Sequence, residues 1–405
     1  MSVVDTGASI WAQLTGKSKS SLVQTGNRPD AHLYVVGSRG SGKSTLLNKY
    51  IQPDRDDTPK PTEGLEYTYI RKPAANPTDP KDLAHLWEVS GSKELSQEIF
   101  NSETVLSPEQ VATAVVAVVV DLSQPAQVLQ SAVTYLQLVR AKLQISYRWL
   151  EQKGSKLPEQ LRLRARKYTG SSHEDKDAIQ HLGISLVLVA AKEDTFRDAD
   201  TEARILMAQS LRYVAHLNGA SLVYLGGLKS SAGGSQSSIS QKDAALDKAA
   251  LASFRSMLSH MLFIGMDKRM KLRAEPQLDP LKPLMVPFGS DRFADIGTPK
   301  GMSTAGSGSH AALEGWLAAA AHTFLTPSQS PSQAVRNIPK TEQDLYAEPG
   351  IDNAREELDA QWKAQPQKQS LQKFEAIAGS NKASVTTRQQ QARRRTGSSK
   401  EQQVS

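Results

Sequence analysis

Gly37-Ser38-Arg39-Gly40-Ser41-Gly42-Lys43-Ser44 matches the pattern G-x-x-x-x-G-K-[ST] in full. Residues of these types at this spacing do phosphate chemistry. Glycines let successive backbone N–H groups turn toward phosphate oxygens, and a helix N-terminus behind them adds its positive dipole. Lys43 is placed to reach β- and γ-phosphates, and the Ser44 hydroxyl to ligate Mg²⁺. Gly37, Gly40, Ser41, Gly42 and Thr45 complete the candidate cradle. Such a loop needs a strand before it and a helix after it. The apolar run His32-Leu33-Tyr34-Val35-Val36 and the helix-like Ser44-Thr45-Leu46-Leu47-Asn48-Lys49-Tyr50 supply both. A P-loop is expected here.

Further groups stand downstream where a GTPase places its switches. Thr62, in Pro61-Thr62-Glu63-Gly64, precedes a strand-like stretch, where a γ-phosphate-sensing threonine and second Mg²⁺ ligand belongs. Glu88-Val89-Ser90-Gly91 takes the place of Asp-x-x-Gly, with a carboxylate one methylene longer to meet the metal. The next residue, Ser92, stands where a glutamine would orient the attacking water. Serine lacks that reach, so fast hydrolysis is not expected. Ala191-Lys192-Glu193-Asp194 aligns with [NT]-K-x-D. There Asp194 would accept from a guanine and the Lys192 stem would cover the ring. An ordinary strand-end loop with solvated charges explains the same four residues as well.

The elements that must position these groups follow from periodicity. Strands are expected at 65–70, 84–89, 113–121, 184–190 and 221–225, with helices near 125–150, 200–217 and 243–264. Residues 113–121 are a continuous β-branched run, the mark of a strand buried on both faces. Strands alternating with helices predict a mostly parallel sheet covered on both sides, the Ras-like α/β P-loop class. The expected organisation is an N-terminal extension at 1–30, the P-loop domain at 31–265, an ordered extension at 266–326 and a largely disordered tail at 327–405. That tail carries a short amphipathic stretch near 350–363. Ser/Gly-rich loops are expected at 229–241 and 300–309. An amphipathic piece also precedes the P-loop domain, around Ile10, Trp11 and Leu14.

Composition narrows the classes. The chain of 405 residues has no cysteine, which removes disulfides, thiolate catalysis and Cys-based zinc sites. No apolar stretch is long enough to span a bilayer, so no membrane span is expected. Of the net charge of +7, residues 366–405 carry +6, with eight Lys/Arg against two Asp/Glu. The rest is nearly neutral, so nucleic acid is not an expected partner. The basic run Arg162-Leu163-Arg164-Ala165-Arg166-Lys167 reads as a solvated helix face. The eight histidines show no metal-binding spacing, and His216 is expected to pack or cap near a helix end.

Several longer motifs resemble those of the dynein light intermediate chains, particularly of cytoplasmic dynein 2. Pro61-Thr62-Glu63-Gly64-Leu65-Glu66-Tyr67-Thr68-Tyr69 is similar to the family's PTxxLEYTY, and Trp87-Glu88-Val89-Ser90-Gly91 to its WELGG, including the glutamate. Asp121-Leu122-Ser123-Gln124-Pro125 resembles part of its LDLSKP, and Leu211-Arg212-Tyr213-Val214-Ala215-His216 its LRFVAH. Lys282-Pro283-Leu284, Gly289-Ser290-Asp291-Arg292-Phe293 and Ile296-Gly297-Thr298-Pro299 follow the family pattern in order, and Tyr346-Ala347-Glu348-Pro349 echoes its C-terminal end. The chain departs at the guanine loop, commonly GSKxD, by having Ala191 and Glu193.

The resemblance implies a non-catalytic motor subunit. Its partners would be the dynein 2 heavy chain, other dynein 2 subunits and intraflagellar transport particles, with microtubules reached indirectly. Its place would be the cytoplasm, the cytoskeleton, the cilium or flagellum and the basal body. Its site would hold GTP or GDP with Mg²⁺, or be empty. A light intermediate chain of cytosolic dynein 1 and an active regulatory GTPase remain the alternatives.

Overall fold

The computed structural model describes residues 29–54, 59–72, 82–228, 241–270, 275–299 and 310–324. The amphipathic piece near Ile10, the 229–240 and 300–309 loops, the stretch near 350–363 and the tail lie outside them.

Seven strands form one sheet in the order β2-β3-β1-β4-β5-β6-β7. They are β1 (Ala31–Gly37), β2 (Leu65–Arg71), β3 (Leu83–Val89), β4 (Ala114–Asp121), β5 (Ser185–Ala191), β6 (Ala220–Leu225) and the two-residue β7 (Met285–Val286). β1, β3, β4, β5 and β6 run parallel, while β2 and β7 pair antiparallel at the two edges. This is the Ras-like α/β arrangement, with one antiparallel strand added at the β6 edge.

The β-branched run of β4 is buried along its length from Ala114 to Val120, so alternate side chains feed two different cores. On one face Val115, Ala117 and Val119 meet α1 (Lys43–Ile51) and α7 (Gln241–Phe263) through Leu46, Leu47, Phe254 and Met257. On the other, Val116, Val118 and Val120 share a core with α3 (Pro125–Gln152) and α6 (Thr201–Leu217). Between them in sequence lie α2 (Lys93–Asn101), α4 (Leu157–Thr169) and the single turn α5 (Glu193–Phe196). The basic run 162–167 therefore sits on a helix, as its pattern predicts, with Leu161 and Ala165 buried beneath it.

The segments after residue 265 add to this same core. Trp316 on α9 (His310–Phe324) is 1% exposed and packs 6.0 Å from the Tyr213 ring. The ordered extension expected at 266–326 contains the turn α8 (Phe293–Ile296), fixed by buried polar groups. Asp291 accepts from Arg212 Nε and Nη2 at 2.8 and 2.6 Å, with both partners enclosed. Asp175 accepts from His216 Nε2 at 2.9 Å and from the Phe293 N–H at 2.8 Å. His173, Asp175 and His216 lie close enough to suit a metal. However, His173 spends Nε2 on the Asp291 carbonyl and Nδ1 on the Asp175 N–H, so the trio is a hydrogen-bonded staple.

β1 lies between β3 and β4, so the chain departs to opposite sides from its C-terminal end. Ligands of open α/β sheets bind at that kind of switch point. The P-loop emerges there. Among the described residues no helix is long and apolar enough to cross a membrane.

Candidate functional site

The loop from Gly37 to Gly42 doubles back against the sheet and feeds α1. Gly37 admits no side chain, because a Cβ would fall 2.1 Å from the Val119 carbonyl oxygen. Gly42, the helix N-cap, has φ 96°, a left-handed conformation that glycine adopts without strain. The first turn of α1 has no acidic residue, which leaves its N-terminus open to an anion.

Lys43 does not point into solvent. Its Nζ donates to the carbonyls of Gly37 at 2.9 Å and Ser38 at 3.0 Å, and the residue is 5% exposed. Burial lowers its pKa to about 8, partly opposed by the Glu88 carboxylate. Ser41 Oγ is enclosed with no hydrogen-bond partner, an orphaned donor within the cradle.

The expected metal ligands converge. Ser44 Oγ donates to Glu88 Oε1 at 2.6 Å and lies 3.5 Å from Thr62 Oγ1. Glu88 is 4% exposed, and burial raises its pKa although Ser44, Thr62 and Lys43 all favour the carboxylate. Two hydroxyls and a carboxylate are hard oxygen donors, so the set fits Mg²⁺. When bound with a nucleotide, that ion would neutralise phosphate charge.

Gly91 seals the phosphate end. Its carbonyl accepts from the Arg39 N–H at 3.1 Å, and a Cβ on it would lie 2.2 Å from Arg39 N. Ser92 is turned to another task. Its hydroxyl accepts from the Leu95 N–H at 3.5 Å and donates to Glu94 Oε2 at 3.1 Å, capping α2. A side chain committed to a helix cap does not orient water.

The base end is arranged differently from the pattern. Lys192 has φ 60°, and its Nζ lies 2.5 Å from Asp121 Oδ2. Asp194 is exposed, and its Oδ1 accepts from the Gly227 N–H at 3.1 Å. The buried acid of this loop is Glu193, 3% exposed, which pairs with Arg197; Arg197 in turn reaches Asp247 at 2.6 Å. Sequence reasoning met Glu193 only as a departure from the guanine-loop pattern and passed over Arg197 and Asp247. The one local signal was the i, i+4 spacing of Glu193 and Arg197.

A cavity of about 240 Å³ joins the pieces. Gly40, Gly42, Lys43, Ser44, Thr45, Thr62, Glu88, Gly91 and Lys192 line it, together with Arg39 and Pro59-Lys60-Pro61. Gly37, Ser41 and Asp194 are not among its lining residues. It falls short of the roughly 300–1,000 Å³ of sites that enclose a whole small molecule. Its size and donors suit phosphates.

Residues 5–226 match the family model described as dynein light intermediate chain. The chain belongs to that family. A rat protein named cytoplasmic dynein 2 light intermediate chain 1 is 30% identical over 330 residues, covering 81% of this chain and 85% of the relative. The human protein of that name is 30% identical over 267 residues, covering 66% and 68%, and the zebrafish one 28% over 294, covering 71% and 74%. Among solved structures, the crystal structure of the dynein light intermediate chain's conserved domain covers 66% of this chain and 84% of its own, with 15% identity and a TM-score of 0.43.

If phosphate binds in this light intermediate chain, the buried Lys43 would make that binding sensitive to alkaline pH. An anion binds the charged ammonium, so affinity is highest below the free-state pKa and weakens as pH rises through about 8. Fluorescent-nucleotide titrations at pH 7 and 9.5 should show weaker binding at the higher pH. Equal affinities would remove Lys43 as a phosphate ligand.

Proposed function

We propose that this chain is the light intermediate chain of a cytoplasmic dynein 2 motor, a non-catalytic subunit that supports the heavy chain. The observation that carries the proposal is the match to relatives bearing that name along 81% of this chain. The helix-capping role of Ser92 supports the non-catalytic part. In this reading the subunit works with the heavy chain and other dynein 2 subunits in retrograde intraflagellar transport. It resides in the cytoplasm, on the cytoskeleton and in the cilium or flagellum with its basal body. Its P-loop holds GTP or GDP with Mg²⁺ as a structural ligand, through the cradle, Ser44, Thr62 and Glu88.

Affinity purification of the tagged chain from ciliated or flagellated cells tests the assignment. Stoichiometric recovery of a dynein 2 heavy chain is the expected result. Recovery of cytosolic dynein with cargo adaptors would move the chain to the sister motor. Absence of any heavy chain would leave the free regulatory GTPase.

The ligand's role has its own test. Bound at about a hundred times its Kd, a nucleotide adds on the order of 3 kcal/mol of stability. Lys43→Ala should therefore abolish the rise in melting temperature that saturating nucleotide gives the native chain, while heavy-chain recovery persists. If neither chain responded to nucleotide, the structural-ligand reading would fail.

A further inference from the structure

β2 is an edge strand with an open outer side. It pairs only with β3, and its register runs unbroken from Leu65 opposite Val89 to Arg71 opposite Leu83. The two ends fix the phase of the ladder. The Lys72 N–H donates to the Asp82 carbonyl at 2.9 Å, and the Ser90 N–H to the Gly64 carbonyl at 2.7 Å. Antiparallel pairs alternate between hydrogen-bonded and non-bonded positions. Gly64, Glu66, Thr68, Ile70 and Lys72 therefore spend their backbone groups on β3. Leu65, Tyr67, Tyr69 and Arg71 direct theirs outward, where no backbone partner meets them among the described residues.

Natural edge strands are usually blunted by proline, by a bulge or by shortness. β2 has seven residues, Leu-Glu-Tyr-Thr-Tyr-Ile-Arg, with no proline and no break in register. Tyr67 is 49% and Tyr69 53% exposed. Charge is divided along the strand, with Glu66 near its start and Arg71 and Lys72 at its end, all three exposed. Within the sheet Glu66 stands opposite Glu88, a like charge, and neither Glu66 nor Lys72 forms an ion pair among the described residues. Lys72 Nζ lies 5.4 Å from the centre of the Phe263 ring, beside a depression that Arg255 also lines and no carboxylate does.

We infer that two copies of this chain pair β2 with β2, antiparallel about a two-fold axis at Thr68, so that the sheet continues from one subunit into the other. The strand is complementary to itself, as an interface on a two-fold axis must be. Tyr67-Thr68-Tyr69 reads the same in both directions. With Thr68 opposite the partner's Thr68, Leu65 faces the partner's Arg71 and Tyr67 faces the partner's Tyr69. Every outward N–H and C=O from Leu65 to Arg71 then meets its complement. A shift by one residue would set outward groups against groups already spent on β3. On the other face of the sheet Glu66 lies diagonal to the partner's Lys72, within reach for long side chains. Symmetry makes that contact twice. An acidic start and a basic end attract each other only when the two strands run antiparallel. This self-complementarity, not exposure alone, selects a second copy as the occupant of the edge.

A charge exchange in the full chain tests the register. Light scattering of the native chain should show its mass rising toward twice the monomer's at micromolar concentration. Glu66→Lys alone and Lys72→Glu alone each turn both attractions into repulsions, and each should raise the dissociation constant about tenfold. Mixing the two variants restores both attractions in the mixed pair and should recover association. A native chain that stays monomeric would leave the edge to a strand of another protein and overturn the inference. Single variants that associate like the native chain, or a mixture no tighter than its components, would overturn it as well. The chain has no cysteine, so Thr68→Cys places one thiol per copy on the axis. Mild oxidation should join two such copies by a disulfide well before it joins Leu163→Cys chains, whose thiol replaces a side chain 55% exposed on α4. Equal rates of joining would overturn the proposed axis, and this readout needs no change of charge.

Discussion

Asp291→Ala is expected to destabilise the folded domain by about 3–5 kcal/mol, because it strands a buried guanidinium. Arg212 is 6% exposed and Asp291 3%, and two short bonds join them in a fork. Their mutual attraction offsets the desolvation of both groups. Removing the carboxylate leaves the Arg212 cost uncompensated. It also takes an acceptor from the Arg292 N–H, 3.0 Å from Asp291 Oδ1, at the entry to α8. In a domain of this size the loss corresponds to a fall in melting temperature of about 10 °C. Calorimetry of the single variant checks this, and a fall of only 1–2 °C would show that the pair contributes little. Replacing both partners by apolar residues of similar volume should recover much of the loss, since neither charge is then buried alone.

The second large effect belongs to the site. Gly91→Ala should displace the loop after β3 from the P-loop, because its Cβ would overlap backbone atoms of Arg39 at 2.2 and 2.3 Å. Backbone cannot rotate aside as a flexible side chain can. The expected cost is about 1–3 kcal/mol of overpacking. Because Glu88 and Gly91 share that segment, Mg²⁺-dependent nucleotide binding should weaken at least tenfold. Gly64→Ala is the matched control, since nothing lies within 4 Å of its added methyl. It should leave stability within about 0.5 kcal/mol of the native chain. Equal behaviour of the two variants in melting and nucleotide titration would refute the close-approach argument.

Much of the site was legible because its signals are local. A P-loop is spelled by eight consecutive residues, and Thr62 and Glu88 announce themselves by their place around β2 and β3. The structure brings Ser44, Thr62 and Glu88 within hydrogen-bond reach. The base loop was less legible. Asp194 and Glu193 are adjacent acids, and a one-dimensional pattern favours the one aligned with [NT]-K-x-D. Which of them is buried depends on Arg197 and on Asp247, fifty residues further along the chain. That Ser92 caps α2 was not legible either, because the cap required the helix to begin at Lys93.

By itself the sequence determined the glycine-rich loop between β1 and α1, the alternating order of strands and helices and the doubly buried central strand. Each is set by side-chain chemistry or periodicity within a few residues. The tertiary structure alone decided that Lys43 rests on the Gly37 and Ser38 carbonyls, that Arg212 meets Asp291 across 79 positions and that Trp316 completes the core. These contacts form only after distant segments pack, when burial rather than local pattern selects which polar groups must be paired.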